Sequence, residues 1–272
     1  MLFVSSPSSD LEVIVKKVLV IVPFNLDEEG IANRQAQMNE VDLGPGIEFD
    51  FRGVKAGPAL FDSYHDFALA DVALFEAGAD AESEGYDAIC IDTMSDSGMN
   101  ALRSALEIPV IGPGKASFLM ACMLGHKFSV LTQWDPWKAL YSKAAQEYGL
   151  TEKLASVRSI NKPPDVANLL GGKEEDIFPL LLEAGLKCVE EDGADVICMG
   201  STTMHQSVPY LQENLPVPVV NPGPLTYKLA ELVLGLGITH SKTAYPKPHV
   251  PKIDMLHALQ DGAAAADKMV AS

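Results

Sequence analysis

A chain of 272 residues, of which 47% are hydrophobic and 21% charged, is long enough to bury one large core or two medium ones. Its formal net charge of −17 at pH 7 argues against nucleic acid or an anionic membrane as a partner, because both require a basic face. No apolar run reaches the roughly 18 residues that cross a bilayer, and the N-terminus lacks the pattern of a secretory signal. The four cysteines have neither disulfide-scaffold nor zinc spacing, so a reduced, cytoplasmic protein is expected.

The first half of the chain alternates between predicted strands and helices after a flexible tail over residues 1–14. The run 17–23 is apolar and rich in β-branched residues, which is typical of a parallel strand covered on both faces. Gly85 is placed to end a long Ala-rich helix. The predicted strands are 17–23, 48–52, 86–92 and 109–112, and the predicted helices lie near 27–39, 61–84, 97–106 and 115–124.

The second half begins with the apolar run 127–132, which has the character of the run at 17–23. The segment 150–174 is more polar and contains paired prolines and glycines, so a strand near 154–159 followed by a loop is expected. Further predicted strands are 194–200 and the run that begins at Val217, and the predicted helices are 137–148, 175–191, 225–236 and 253–269.

This alternation predicts the α/β fold class, with parallel sheets and right-handed crossovers. We expect two related, Rossmann-like α/β/α domains, each built on its own parallel sheet. The first domain is predicted to be discontinuous, comprising 15–112 plus 222–272, and the second to comprise 113–221. Ligands of such sheets bind beyond the carboxyl ends of the strands, so the residues that follow each strand are the candidates for function.

An internal repeat supports the two-domain prediction. Each copy is an apolar strand that ends in a small hydroxyl residue, followed by a helix-length stretch and a second strand closed by Pro-Gly. The matching segments are Asp87-Ala-Ile-Cys-Ile-Asp-Thr93 with Ile108-Pro-Val-Ile-Gly-Pro-Gly114, and Asp195-Val-Ile-Cys-Met-Gly-Ser201 with Val217-Pro-Val-Val-Asn-Pro-Gly223. Thr93 and Ser201 thus occupy equivalent strand ends, and they flank one cleft if the two halves face each other.

Several motifs follow one another in a fixed order between residues 17 and 248. They are 87–99, Ile108-Pro-Val-Ile-Gly-Pro-Gly-Lys-Ala116, Gly125-His-Lys-Phe-Ser-Val-Leu-Thr132, 193–201 and Gly237-Ile-Thr-His-Ser-Lys-Thr-Ala-Tyr-Pro246. Together they resemble the aspartate/glutamate racemase superfamily, and hydantoin racemase is the branch they resemble most. The resemblance implies two pseudo-symmetric domains with the active site in the cleft between them. It further implies a cofactor-independent reaction at a carbon next to a carboxylate or carbonyl, and frequent homo-oligomers. It also implies one catalytic cysteine from each half.

Those two cysteine positions fall on Thr93 and Ser201 in this chain. A thiol has a pKa of about 8.5, whereas a hydroxyl is many units less acidic and is no unaided general base near neutral pH. Three functions stay open. In the first, the chain is a racemase or isomerase acting on a small amino acid, hydantoin or related acid, with Asp92 or His205 supplying base strength. In the second, it is a lyase or decarboxylase that forms an enolate-like intermediate. In the third, it is a non-catalytic protein that binds small anions.

The candidate catalytic residues are therefore Thr93, Ser201, His205 and Asp92. Residues at the same strand ends are predicted to contact the substrate, a small carboxylate or cyclic amide: Asn25, Met94, Ser95, Thr132, Gln133, Thr202 and Thr203. The roles of Asn25 and Thr132 come from the resemblance, which implies that their positions hold a substrate carboxylate. Trp134 is a further candidate for the pocket wall, with core packing as its alternative.

Two matched pairs of residues also have a structural interpretation. Thr93 and Ser201 stand where a strand passes to a helix, so both are also candidate helix N-caps. Cys90 and Cys198 match in the repeat, but they lie in mid-strand, where core packing is the favoured interpretation.

No cofactor or metal site is predicted. The histidines show no paired-ligand spacing, and the run from Gly235 to Thr243 lacks the glycine that a phosphate loop needs immediately before its lysine. The expected partners are a small-molecule substrate and further copies of the chain, without nucleic acid or membrane.

Overall fold

The computed structural model of the chain describes residues 15–164 and 175–271. The predicted tail over 1–14 and most of the predicted loop up to 174 lie outside the described residues. Two parallel four-stranded sheets with flanking helices form the structure, which confirms the α/β fold class. No helix in the described ranges is both long and apolar enough to cross a membrane.

The two sheets have the same topology. The first has the order β2-β1-β3-β4 and the second the order β6-β5-β7-β8, so in each half the first strand lies between the second and the third. The strands are β1 Lys16–Val22, β2 Ile47–Gly53, β3 Ala88–Ile91, β4 Val110–Ile111, β5 Phe128–Thr132, β6 Leu154–Ser159, β7 Val196–Met199 and β8 Val219–Val220. The sheets contain residues from 16–111 and from 128–220, while the domain boundaries at 112 and 222 stay a prediction.

Most helices of the described part connect successive strands, and α8 and α9 follow the last one. They are α1 Glu28–Gln35, α2 Tyr64–Gly78, α3 Met99–Ala105, α4 Pro113–Leu124, α5 Lys138–Glu147, α6 Phe178–Glu190, α7 Val208–Asn214, α8 Pro222–Leu236 and α9 Ile253–Ala271. Short 3-10 helices lie at Ala36–Glu40, Asp135–Trp137, Thr151–Lys153, Glu175–Ile177 and Thr202–Ser207. Both α4 and α8 begin earlier than predicted, because a proline in the first helical turn has a backbone angle already suited to the helix.

Equivalent cysteines occupy equivalent places in the two sheets. Cys90 pairs with Val20 on one side and Ile111 on the other, and Cys198 pairs with Val130 and Val220. Both side chains are completely buried, and burial raises the pKa of both thiols. The prediction that they pack in the core is confirmed, and neither is available as a nucleophile.

The C-terminal helix α9 is held against α2 by charged contacts. The His257 ring lies 2.8 Å from the Glu76 carboxylate and 2.8 Å from that of Asp80, and Lys55 bridges Glu76 to Asp261. The hydrogen bond to Glu76 is the main reason that the pKa of His257 is raised above its ordinary value of about 6.5.

From this contact we expect the docking of α9 to depend on pH. Because the folded-state pKa of His257 is raised, its contribution to stability is complete below about pH 6.5 and is lost as the pH rises through the folded value. We expect hydrogen exchange of α9 amides to be faster at pH 8.5 than at pH 5.5, after correction for intrinsic rates. His257→Gln should remove most of this difference, whereas an unchanged profile would contradict it.

Candidate active site

Thr93 and Ser201 line the same cavity between the two halves of the molecule. Thr93 follows β3 and Ser201 follows β7, so the two matched strand ends place their hydroxyl residues at one site. The cavity has a volume of about 60 Å³. Since one water molecule needs roughly 10–15 Å³, the site has room for a ligand of several heavy atoms.

The cavity wall is mostly apolar. Beyond the two hydroxyl residues it is formed by Pro23, Phe24, Leu60, Phe61, Asp92, Met94, Trp137, Leu140, Tyr141, Gly200, Thr202 and Thr203. Among the described residues, this wall contains no lysine or arginine, and its single carboxylate belongs to Asp92. Met94, Thr202 and Thr203, which were predicted to contact the substrate, thus lie in the cavity wall.

The Asp92 carboxylate is already bound by a buried arginine. Arg34, from α1, donates from Nε to Oδ2 at 2.9 Å and from Nη2 to Oδ1 at 2.9 Å, and the two side chains are 4% and 1% exposed. Arg34 also donates to Thr202 Oγ1 at 3.0 Å, and Thr202 donates to the Asp92 carbonyl at 3.2 Å. Asp92 therefore links the two halves, and this pairing argues against the predicted role as a general base.

The Thr93 hydroxyl belongs to a line of three hydroxyls. Thr93 Oγ1 lies 3.2 Å from Ser95 Oγ, which lies 2.9 Å from Ser97 Oγ. Ser95 is outside the cavity wall and lines a neighbouring polar pocket instead. Thr93 makes no helix cap, since the N-cap position of α3 is Gly98.

The Ser201 hydroxyl has a local arrangement of its own. It accepts a hydrogen bond from the Thr203 backbone N–H at 3.1 Å and lies 2.7 Å from Thr203 Oγ1. Ser201 is thereby the N-cap of the 3-10 helix Thr202–Ser207. Capping and cavity lining coexist at Ser201, because both use the first turn of the helix.

His205 and Asn25 lie away from the cavity wall. The buried His205 ring contacts the Glu40 carboxylate, which also accepts from Asn221 Nδ2 at 3.1 Å. Asn25 Nδ2 donates to the Lys55 carbonyl at 3.0 Å, beside a different surface depression. These positions argue against the predicted base role of His205 and the predicted substrate contact of Asn25, because each polar group faces another partner.

Thr132 and Gln133 also differ from their predicted placement. Thr132 is completely buried, and its hydroxyl lies 3.1 Å from the hydroxyl of Tyr141. Gln133 is buried outside the cavity wall, and its backbone carbonyl accepts from the Lys162 backbone N–H at 2.9 Å. Thr132 supports Tyr141, which is the residue that reaches the cavity.

One wall of the cavity, formed by α5 and the turn before it, was missed by sequence reasoning. The Tyr141 hydroxyl donates to the Gly200 carbonyl, one residue before Ser201, and burial raises the pKa of Tyr141. Trp134 was the aromatic predicted for the pocket wall, but Trp137 lines the cavity instead. The Trp134 ring packs edge-on against the Trp137 ring, with 6.2 Å between the ring centroids. Helical spacing from 137 onward was the available signal, but it does not tell which face meets the other half.

Among the described residues, no three histidine, cysteine or carboxylate side chains are grouped as metal ligands. The polar side-chain groups of the wall residues are several hydroxyls, the indole N–H of Trp137 and the Asp92 carboxylate, which is held by arginine. This set suits hydrogen bonding and proton transfer rather than ligation of a metal ion.

Comparisons with known proteins agree with this architecture. A family profile described as Asp/Glu/Hydantoin racemase matches residues 32–230. The chain is 32% identical over 188 residues to a hydantoin racemase from Pseudomonas sp. (strain NS671), covering 69% of this chain and 74% of that protein. It is 30% identical to a hydantoin racemase from Paenarthrobacter aurescens, covering 85% and 97%. An allantoin racemase structure from Klebsiella pneumoniae superposes with a TM-score of 0.77 at 26% identity, over 87% of this chain and 95% of that one.

Proposed function

Because this chain belongs to the Asp/Glu/hydantoin racemase family, we propose that it is a cofactor-independent racemase of small, uncharged cyclic amides of the hydantoin type. The reaction would invert the carbon next to a ring carbonyl. The observation that carries the proposal is the presence of Thr93 and Ser201 in the wall of one cavity. Neither the decarboxylase nor the binding-protein alternative has an observation of its own in this cleft.

The composition of the wall favours an uncharged ring over a free amino acid. A carboxylate in this cavity would find no lysine or arginine among the described wall residues, and burying an unpaired charge is costly. Arg34 does not fill this role, because Asp92 and Thr202 already bind it. Hydroxyl and amide groups can instead hydrogen-bond a neutral ring, while the apolar residues cover its faces.

The chemistry also favours an uncharged substrate. Removing a proton beside a carboxylate places a second negative charge next to the first, whereas a neutral cyclic amide gives a singly charged enolate. The smaller electrostatic cost matters here, because hydroxyls replace the thiols that the family resemblance implies at positions 93 and 201. In the proposed mechanism, one hydroxyl accepts the proton from carbon while the other donates a proton to the opposite face.

This mechanism predicts that each hydroxyl removes the carbon-bound proton of one enantiomer. Thr93→Ala and Ser201→Ala should each lower racemisation by about 100-fold or more, since general acid–base catalysis contributes 10²–10⁴-fold. In deuterated buffer, each variant should still exchange the carbon-bound hydrogen of one enantiomer without inversion, and the two variants should prefer opposite enantiomers. The measurement is chiral chromatography combined with proton NMR on both enantiomers of a hydantoin.

Thr151→Ala is a suitable control, because this exposed residue lies in the 3-10 helix after α5 and outside the cavity wall. It should retain the wild-type rate. If Thr93→Ala and Ser201→Ala slow both enantiomers equally without any residual one-sided exchange, the two-sided mechanism is wrong.

A homo-oligomer is part of the proposal, with the exposed apolar stripe of α4 and α8 as its interface. These helices pack together and expose Leu119, Met123, Leu232 and Leu236, of which Met123 is 79% and Leu236 62% exposed. An apolar surface of this kind is typical of an interaction site. Met123→Glu with Leu236→Glu should lower the mass measured by light scattering, whereas Met255→Glu on α9 should not. A monomeric wild type would contradict the interface.

We also propose action in the cytoplasm without nucleic acid or membrane partners. The four cysteines are free thiols, as a reducing compartment permits. The net charge of −17 disfavours anionic surfaces.

A further inference from the structure

A line of hydroxyls leads out of the cavity on the Thr93 side. Thr93 lies in the cavity wall, and Ser95 lines a separate pocket of about 590 Å³ whose wall includes Asp96, Asn100, Lys115 and Tyr245. The oxygen–oxygen distance between Thr93 and Ser95 is 3.2 Å, within reach of a hydrogen bond. We propose that Ser95 relays a proton between Thr93 and water in this polar pocket, a role that rests on the proposed racemase function.

The relay explains how the Thr93 hydroxyl can accept a proton from carbon. A hydroxyl does not ionise near neutral pH, so Thr93 cannot wait as an alkoxide for a proton from carbon. It can accept that proton only while giving up its own. Ser95 is the hydroxyl side chain within hydrogen-bonding distance of Thr93 Oγ1 among the described residues, and it opens to a different, polar space.

Proton transfer through the relay begins at the substrate carbon. The C–H bond breaks, its electron pair stays on the substrate as the enolate, and the proton joins Thr93 Oγ1. The former hydroxyl proton of Thr93 passes to Ser95 Oγ, and the Ser95 proton passes to a water molecule in the polar pocket, which becomes hydronium. On the opposite face Ser201 donates a proton to carbon and regains one from Thr203, which regains one from solvent water and leaves hydroxide. Hydronium and hydroxide then neutralise each other in solvent. The opposite inversion uses the same steps in reverse.

The hydroxyl groups on the two sides of the cavity differ in whether they stay within the cavity wall. Ser201 and Thr203 form a pair at 2.7 Å, and both side chains line the cavity itself. The Thr93 line instead leaves the cavity at Ser95. The third hydroxyl, Ser97, is 3% exposed and lies 2.9 Å from Ser95 Oγ, so it positions Ser95 without reaching the polar pocket.

The first test uses the activity of the full chain. Ser95→Ala should lower kcat on a hydantoin by at least about tenfold while KM stays unchanged, because Ser95 does not touch the substrate. It should also lower the solvent deuterium isotope effect on kcat, since fewer protons then move together. Ser95→Thr keeps the hydroxyl and should restore most of kcat, and Ser83→Ala, at an exposed serine, should have no effect.

The second test does not depend on the substrate. Thr93→Cys places a thiol beside Ser95, and the pH dependence of its alkylation by iodoacetamide reports its pKa. A hydroxyl donor stabilises a thiolate, so Thr93→Cys combined with Ser95→Ala should show a higher thiol pKa than Thr93→Cys alone.

The two tests separate this inference from the proposed function. An unchanged kcat in Ser95→Ala, an effect confined to KM, or equal thiol pKa values in the two cysteine variants would overturn the relay. If the wild type racemises no hydantoin while the thiol pKa values still differ, the Ser95 contact stands and the proposed substrate is wrong.

Discussion

Thr93→Cys combined with Ser201→Cys is expected to accelerate the racemisation of a hydantoin by at least about tenfold over the wild type. Both side chains line one cavity, so the two thiols would take the places of the two hydroxyls. A thiol with a pKa near 8.5 is partly ionised near neutral pH, whereas a serine or threonine hydroxyl is not. Effective acid–base catalysis requires a pKa close to the working pH, which only the thiols provide.

Polarimetry between pH 6 and pH 9.5 measures this effect. The rate of the double variant should rise with pH as one thiol ionises and fall when both are ionised, because one must donate while the other accepts. Each single cysteine variant should gain much less, since the two groups act as a unit. Ser83→Cys with Thr151→Cys adds two thiols at exposed sites outside the cavity and is the matched control. Equal rates for the control and the cavity variant would contradict the proposed geometry.

Arg34→Leu is expected to lower the free energy of unfolding by about 3–5 kcal/mol, because it leaves the buried Asp92 carboxylate without its partner. The Asp92 side chain is 1% exposed, so bulk water does not solvate its charge in the folded protein. Thr202 would also lose a donor, which weakens a contact that joins the two halves. Thr93 directly follows Asp92, so we expect racemisation to fall together with stability.

Urea unfolding followed by circular dichroism measures the change. Arg34→Leu combined with Asp92→Asn should recover part of the loss, since no unpaired charge remains in the interior. Arg158→Leu is the control, because Arg158 pairs with Glu191 and Asp192 near the surface and such pairs contribute about 0–1 kcal/mol. If Arg34→Leu and Arg158→Leu cost the same, the buried pair has no special role in stability.

The arrangement of the elements was predictable because it depends on local patterns. Apolar runs such as 17–23 and 127–132 predicted parallel strands covered on both faces, and these are β1 and β5. The repeat around Cys90 and Cys198 predicted two like halves, and both sheets have the same strand order. Element boundaries were less accurate, as in α2, which ends at Gly78 where a helix up to 84 was predicted. The residues after Gly78 form turns, and their composition does not distinguish turn from helix.

The sequence by itself determined the fold class, the family and the two strand ends that meet at the cavity. Strand ends can be read from the chain because each is set by its immediate neighbours. Only the tertiary structure decided which side chains accompany them. Arg34 meets Asp92 across 58 positions and Thr202 across 168, and Tyr141 contacts Gly200 across 59. Such contacts depend on how helices pack over the sheets, and side-chain partners so far apart in sequence leave no local pattern.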